Sequence, residues 1–230
     1  MFSCKPELKE KDGMVLIPKS DHLESYWIDK QLVSVSDFRK FIVATKYKTE
    51  ADKFGDAGFF DIKSGEWSLK KGANWEYPLG KDFPKAADNH PVTQVSWNDA
   101  TAYSKWKKKR LPTQAEYEFA ATNAGYSSEQ YSWGDLDFED GKYKANFWQG
   151  SFPQINTVED GFLYTSPIGF FGKNKIGLSD MGGNVWQWTA EWSKEKPTEK
   201  LEVGGSFLCD KSVCHGYKIG NTASSTPETS

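Results

Sequence analysis

Residues 177–192 read GLSDMGGNVWQWTAEW, and residues 204–214 read GGSFLCDKSVC. Short runs rich in Trp, Val and Thr and bounded by glycines read as strands, so GNVWQWTAEW (183–192) and VGGSFLC (203–209) predict a small antiparallel sheet near the end of the chain. Upstream, MVLIP (14–18) and SYWID (25–29) are apolar runs of strand length. Three helices are signalled between these ends. SVSDFRKFIVATK (34–46) places Phe38, Phe41 and Ile42 on one helical face. SWNDA (96–100) offers Ser96 or Asn98 as an N-cap, with Ala102, Tyr103 and Trp106 following at helical spacing. Pro112 precedes TQAE (113–116), a capping box in which Thr113 and Glu116 satisfy orphan N–H groups. The helices together account for about a fifth of the chain. Stretches 50–95 and 125–180 are dense in Gly, Asp, Asn, Pro and aromatics with weak periodicity. Loops so long, if ordered, need bound metal ions or buried aromatic anchors to hold them. The predicted class is α+β.

At 230 residues and 26.0 kDa the chain suits one domain. Only 37% of residues are hydrophobic, yet 10 Trp, 10 Tyr and 15 Phe are present, so a few bulky rings must build the core. A net charge of −3, from 29 basic and 32 acidic residues, gives no field that would draw nucleic acid or anionic lipid. No apolar run approaches the roughly 18–20 residues of a membrane span, and no internal repeat of solenoid period appears. The start, MFSCKPELKEKDG, lacks an apolar h-region. Cys4, between Phe2-Ser3 and a lysine-rich run, has the setting of a bacterial lipoprotein's lipid-bearing cysteine; the alternative is a stray thiol in a frayed terminus. This divides the chain into a tail, 1–20, and a domain, 21–230, and favours an extracytoplasmic, periplasmic location over the cytoplasm. Cys209 and Cys214 are too few for a disulfide scaffold and need a local explanation. From spacing alone that is a disulfide closing a tight loop, a pair of inert thiols, or a metal site.

Seven blocks in order carry a resemblance: GANWEYPLG (72–80), HPVTQVSWNDATAYSKW (90–106), KRLPTQAEYEFA (109–120), YSWGD (131–135), ANFWQGSFPQINTVEDGF (145–162), and the two quoted at the outset. They resemble the formylglycine-generating enzyme, or sulfatase-modifying factor, family. The RLPT and GNVW blocks recur throughout a wider superfamily; the Cys-x4-Cys after GGS and the 145–162 block discriminate. The resemblance implies one domain of duplicated C-type-lectin-like fold, low in regular secondary structure, with long metal-held loops. It implies oxidation by O2 of a cysteine in a sulfatase polypeptide to Cα-formylglycine, with Cu(I) held by Cys209 and Cys214. The substrate cysteine would join as a third sulfur, and Ser206 and Trp186 match positions lining that site. Soft thiolates select Cu(I) over harder ions, which suits the pair. The implied partners are an unfolded cysteine-containing polypeptide and O2, acting on a monomer.

Calcium is the second implied cofactor. Matching one site are the side chains of Asn146 and Asp160 and the carbonyls of Phe147 and Phe162, all hard oxygen donors. A second would use Asp180, the carbonyls of Gly183 and Val185, and Gln187 where the family has Glu; one charge fewer predicts weak binding or vacancy there. Read in isolation, these Asn and Asp residues are ordinary turn formers.

The implied peptide groove includes Asp56, Ala51 and Ala57, but Ala57 replaces a serine and Leu32 stands at a second acid's position. Val213 stands where tyrosine is usual and Thr222 where arginine is usual, with His215 as a partial substitute. No match to the family's closing GFR strand precedes Ser230. Ser104, Ala121 and Ile219 replace the disulfide cysteines of secreted animal members, the pattern of bacterial ones. These departures sustain a second reading, a non-catalytic binding or assembly module of the same fold. The iron-dependent sulfoxide synthase branch needs a helical domain with three iron-binding histidines, and only His22, His90 and His215 are present.

Overall fold

The computed structural model describes residues 8–230; the Cys4 reading lies outside them. In chain order the elements are β1 (Glu10–Lys11), β2 (Met14–Ile17), β3 (Tyr26–Asp29), α1 (Val35–Thr45), α2 (Glu50–Phe54), β4 (Asp56–Asp61) and β5 (Glu66–Lys71). There follow α3 (Trp97–Trp106), α4 (Gln114–Ala121), β6 (Phe138–Glu139), β7 (Lys142–Tyr143), β8 (Gly150–Ser151), β9 (Ile155–Asn156), β10 (Gln187–Trp192), β11 (Lys200–Val203) and β12 (Thr222–Ser225). Few helices and many short strands in one mixed α and β domain agree with the predicted class. Two three-stranded antiparallel sheets, β1-β2-β3 and β10-β11-β12, are accompanied by three two-stranded hairpins. No described helix is long and apolar enough to cross a membrane.

Capping chemistry places the helices. Ser34, Thr49, Ser96 and Thr113 each accept from the N–H three residues on, and the last three form reciprocal boxes with Asp52, Asp99 and Glu116. The short α2 and the β4–β5 hairpin, inside a stretch read as loop, escaped the periodicity argument; five residues are too few to show a helical period. The last sheet also differs from expectation. Asn184 (φ 65), Gly204 (φ 88) and Gly205 (φ 69) are left-handed, so the strands begin after or end before them, at β10 and β11. VGGSFLC is therefore a turn that leaves the sheet at Val203.

Residues 10–17, inside the stretch read as a tail, form the first hairpin, because alternate side chains of MVLI bury Val15 and Ile17. With Tyr117, Ala120, Leu178, Met181 and Val203 they make one core cluster; Val35, Phe38, Phe41, Trp75 and Tyr103 make a second. Edge-to-face contacts of 5.4 Å for Phe38–Phe41 and 5.7 Å for Phe38–Trp75 show rings filling the interior, as composition requires.

Partly buried in the central strand of the last sheet, Glu202 has its carboxyl pushed up to about 7, chiefly by desolvation. A folded-state value above the unfolded one means that the native chain retains the proton. Stability therefore falls as pH rises from the ordinary 4.5 through 7. Urea unfolding of Glu202→Gln at pH 5 and pH 8 should show that fall removed, with the variant about 2 kcal/mol the more stable at pH 8.

Candidate active site

Cys209 and Cys214 come together because Asp210 closes the chain between them. Its Oδ1 accepts from Val213 N–H at 2.7 Å and its Oδ2 from Ser212 Oγ at 2.8 Å. Its carbonyl accepts from Cys214 N–H at 3.3 Å and His215 N–H at 2.7 Å. Within this turn the two sulfurs are joined as a disulfide, with the Cα atoms 5.0 Å apart. Cys209 is 2% exposed, and Cys214 is half-buried beside it.

Neighbouring blocks fix the turn. Phe207 N–H donates to Asn184 O at 3.0 Å, tying it to the 177–192 block, and Trp148 N–H donates to Cys209 O at 3.0 Å, tying it to 145–162. Tyr131, Ala145, Phe147 and Tyr217 form the buried surround, with Trp133, Tyr143 and Trp186 packed against it. Phe147 stacks on Tyr217 at 4.6 Å, and His215 Nε2 lies 2.9 Å from Tyr131 Oη. Burial, with Lys218 and Lys211 nearby, holds the His215 imidazole below its ordinary value. Gly216 lies against Trp186 and the pair. A Cβ there would stand 2.4 Å from Trp186 Cη2 and 3.0 Å from Cys214 Sγ.

Of the residues expected here, Ser206 is buried and its Oγ accepts from Leu208 N–H at 3.2 Å, shaping the approach to Cys209, and Trp186 packs beside Gly216. Val213 is 65% exposed, and Thr222 pairs with Val203 in the sheet. Ala51 and Ala57 are buried against Ala73 and present no side-chain surface to a peptide; Asp56 opens β4 half-exposed. Sequence reasoning passed over Asp210, Gly216, Tyr131 and Tyr217. The Asp-x-Ser run at 210–212 was a readable turn signal; the rings carried none. A cleft of about 770 Å³ lies on the other side of Trp186, lined by Ile28, Leu32, Val95, Tyr103, Arg110 and Trp188 among others, and holds neither cysteine. Its size reflects the gap beside the edge strands β3 and β10, so the chemistry is located by the sulfurs and not by the volume.

The calcium expectations separate. Asn146 is 1% exposed and its Oδ1 has no hydrogen-bond partner, while the Asp160 carboxylate accepts from Phe147 N–H (3.1 Å) and Phe162 N–H (2.9 Å). An orphaned buried oxygen close in the chain to a buried carboxylate fits a hard cation, although the Phe147 carbonyl of this set already accepts from Gln149 Nε2. At the second set several of the oxygens are engaged. The Asp180 carboxylate accepts from Gly169 N–H (2.7 Å) and Asn184 Nδ2 (3.2 Å), Gln187 Nε2 donates to Asp180 O (2.9 Å), and Gly183 O accepts from Val185 N–H (2.9 Å). A cation there would have to displace these contacts. Among the described residues no three His, Cys, Asp or Glu side chains gather as a metal cluster.

The profile of the sulfatase-modifying factor enzyme 1-like domain matches residues 7–230. The chain belongs to that family. Within it, the formylglycine-generating enzyme of Mus musculus is 38% identical over 90% of this chain, and that of Streptomyces coelicolor 37% over 90%. The chain spans 64% of the mouse protein's length and 76% of the Streptomyces protein's. A Bos taurus protein named inactive C-alpha-formylglycine-generating enzyme 2 is 35% identical over the whole chain and 80% of its own length. Among solved structures, PvdO from Pseudomonas aeruginosa shares the fold, with TM-score 0.63 and 21% identity over 90% of this chain and 76% of its own.

Proposed function

We propose that the protein oxidises a cysteine in a sulfatase-like polypeptide to Cα-formylglycine with O2, using Cu(I) held by Cys209 and Cys214. The observation that carries the reading is the convergence of a buried and a half-buried cysteine in a turn closed by Asp210. Family relatives named for this activity support it. As thiolates the two sulfurs are a soft, low-coordinate donor set, which fits a monovalent copper ion. When bound, that ion supplies the one-electron chemistry by which O2 is activated.

The chain's own residues do the remaining work. Cys209, buried among rings, and the less buried Cys214 would hold the ion, and a substrate thiol would approach from the Cys214 side. Trp186 and Gly216 pack close to Cys214, and Asp210 closes the turn that carries both sulfurs. His215, which follows Cys214 in the chain, has its Nε2 held by Tyr131 Oη. Asn146 and Asp160, with the carbonyls of Phe147 and Phe162, would bind calcium and hold the 145–162 block against Cys209.

Copper-loaded protein incubated with a panel of cysteine peptides should yield the aldehyde by mass spectrometry, and Cys209→Ser should yield none. Product from neither protein with any peptide sinks the assignment. The second reading, a binding module, is favoured by the inactive bovine relative and by Leu32, Ala57, Val213 and Thr222. A Cu(I) titration separates the two, since a binding module has no need of tight copper binding through Cys209 and Cys214. Calcium at a hundredfold excess over its Kd should add about 2.7 kcal/mol of stability, read as a rise in Tm of several degrees that Asp160→Asn abolishes.

A further inference from the structure

We propose that the cleft between β3 and β10 binds an extended segment of a partner polypeptide, which pairs with the free edge of β3 and carries a carboxylate that meets Lys107 and Lys108. The cleft holds neither cysteine, and binding there needs no copper. The register of the first sheet sets the edge free. Lys30 N–H donates to Gly13 O at 3.0 Å, and Ile28 pairs with Val15 and Tyr26 with Ile17, so the even-numbered residues of β3 turn their backbone groups towards β2. In an antiparallel ladder the residues between them turn theirs the other way. Trp27 and Asp29 accordingly present N–H and C=O outward, and among the described residues none of these groups has a hydrogen-bond partner. Both residues line the cleft, and Trp27 is 40% exposed.

An exposed unpaired edge is a template for an incoming strand unless proline, a bulge or an unpaired charge blunts it. Tyr26–Asp29 has no proline, its register is regular, and its one charge, Asp29, is already paired with Lys109 at 2.5 Å. At about 3.3 Å per residue the strand offers an edge about 13 Å long, and the cleft of about 770 Å³ beside it leaves room for side chains. Leu32, Val92 and Val95 make part of its wall apolar, so the inward side chains of the added strand are apolar as well. The rim sets the charge. Lys107, Lys108, Lys109 and Arg110 line the cleft against Asp12, Asp29 and Glu116, which leaves one positive charge there on a chain of net −3. Asp29 and Glu116 occupy Lys109 and Arg110, at 2.5 and 2.6 Å, whereas Lys107 and Lys108 form no ion pair among the described residues. Two such lysines are too few for nucleic acid, which engages about six or more phosphates. A small free carboxylate would leave the β3 edge unpaired.

The test uses the full chain without copper and fluorescein-labelled peptides read by anisotropy. The probes are Thr-Val-Thr-Val-Glu-Glu and its counterpart ending Lys-Lys. Two further Glu peptides are N-methylated at alternate residues, one at the threonines and one at the valines, since only one of these phases faces β3. The Glu form should bind about fivefold tighter than the Lys form at low salt, a gap that the Lys107→Gln, Lys108→Gln variant, altered at two exposed positions, should close. One methylation phase should weaken binding by about tenfold relative to the other. Amide exchange at Trp27 and Asp29 should slow by about tenfold when the Glu peptide is added. Equal binding of the two charge forms, equal effects of the two methylation phases, or unchanged exchange at Trp27 and Asp29 overturns the proposal. So does the absence of binding at about 1 mM peptide, or displacement of the peptide by an equal concentration of glutamate, which would mark the cleft as a small-anion site.

Discussion

On the proposed activity, Gly216→Ala lowers turnover of a cysteine peptide by about a hundredfold while the protein stays folded. The added methyl would sit 2.4 Å from Trp186 Cη2, 2.6 Å from Cζ2 and 3.0 Å from Cys214 Sγ. Contacts below 3.0 Å are not tolerated, so a neighbour must move, and each is restrained. Trp186 belongs to the ring cluster around Tyr131 and Tyr217, and Cys214 is held by Asp210 through its own N–H. Overpacking of this kind costs about 1–3 kcal/mol, which a domain of this size survives. The reactive geometry does not survive it, because a displacement of about 1 Å at a reacting centre is worth about a hundredfold in rate. Mass-spectrometric turnover read beside a melting curve separates the two effects. An alanine variant that melts a few degrees lower but works at the parent rate would show that the Trp186–Gly216–Cys214 contact is packing alone.

How far this site could be read beforehand follows from the kind of signal each part leaves. Caps are local, and Ser96-x-x-Asp99 and Thr113-x-x-Glu116 announce their helices within four residues; both helices begin where the sequence puts them. Cys209 and Cys214 are neighbours in sequence and hence in space. The resemblance of the 145–162 and 204–214 blocks identified the family, and the family profile and the fold agree with it. What shapes the pair is not local. Tyr131 reaches His215 across 84 residues, and Phe147 meets Tyr217 only because Trp148 is tied to Cys209. No periodicity encodes such contacts, since each ring lies in a loop fixed by tertiary bonds. The strand expected at VGGSFLC failed for a related reason. Apolar composition there marks a buried turn, and left-handed Gly204 and Gly205, not the residue pattern, decide where β11 ends.

Asp99→Ala will cost about 4 kcal/mol, the largest stability loss expected of any single polar substitution here. Asp99 is wholly buried, and its carboxylate accepts from Ser96 N–H at 2.9 Å, Glu50 N–H at 3.1 Å and Tyr47 Oη at 3.0 Å. It therefore closes the N-terminus of α3, starts α2, and holds the chain leaving α1, where Tyr47 lies 5.1 Å from Phe41. Burial pushes its carboxyl up while these donors pull it down, so the three bonds oppose a desolvation cost already present. Alanine removes the acceptors and strands three donors, each costing about 1–3 kcal/mol when buried without a partner. Asparagine keeps one acceptor oxygen and should lose roughly half as much. Urea unfolding measures both. The network reaches beyond its own helix, since α2 leads directly into β4 at Asp56. The cysteine turn belongs to a different cluster. Amide exchange on Asp99→Asn should therefore quicken at α2 and β4 while Cys209 and Cys214 stay protected, whereas uniform quickening would show that the two regions open together.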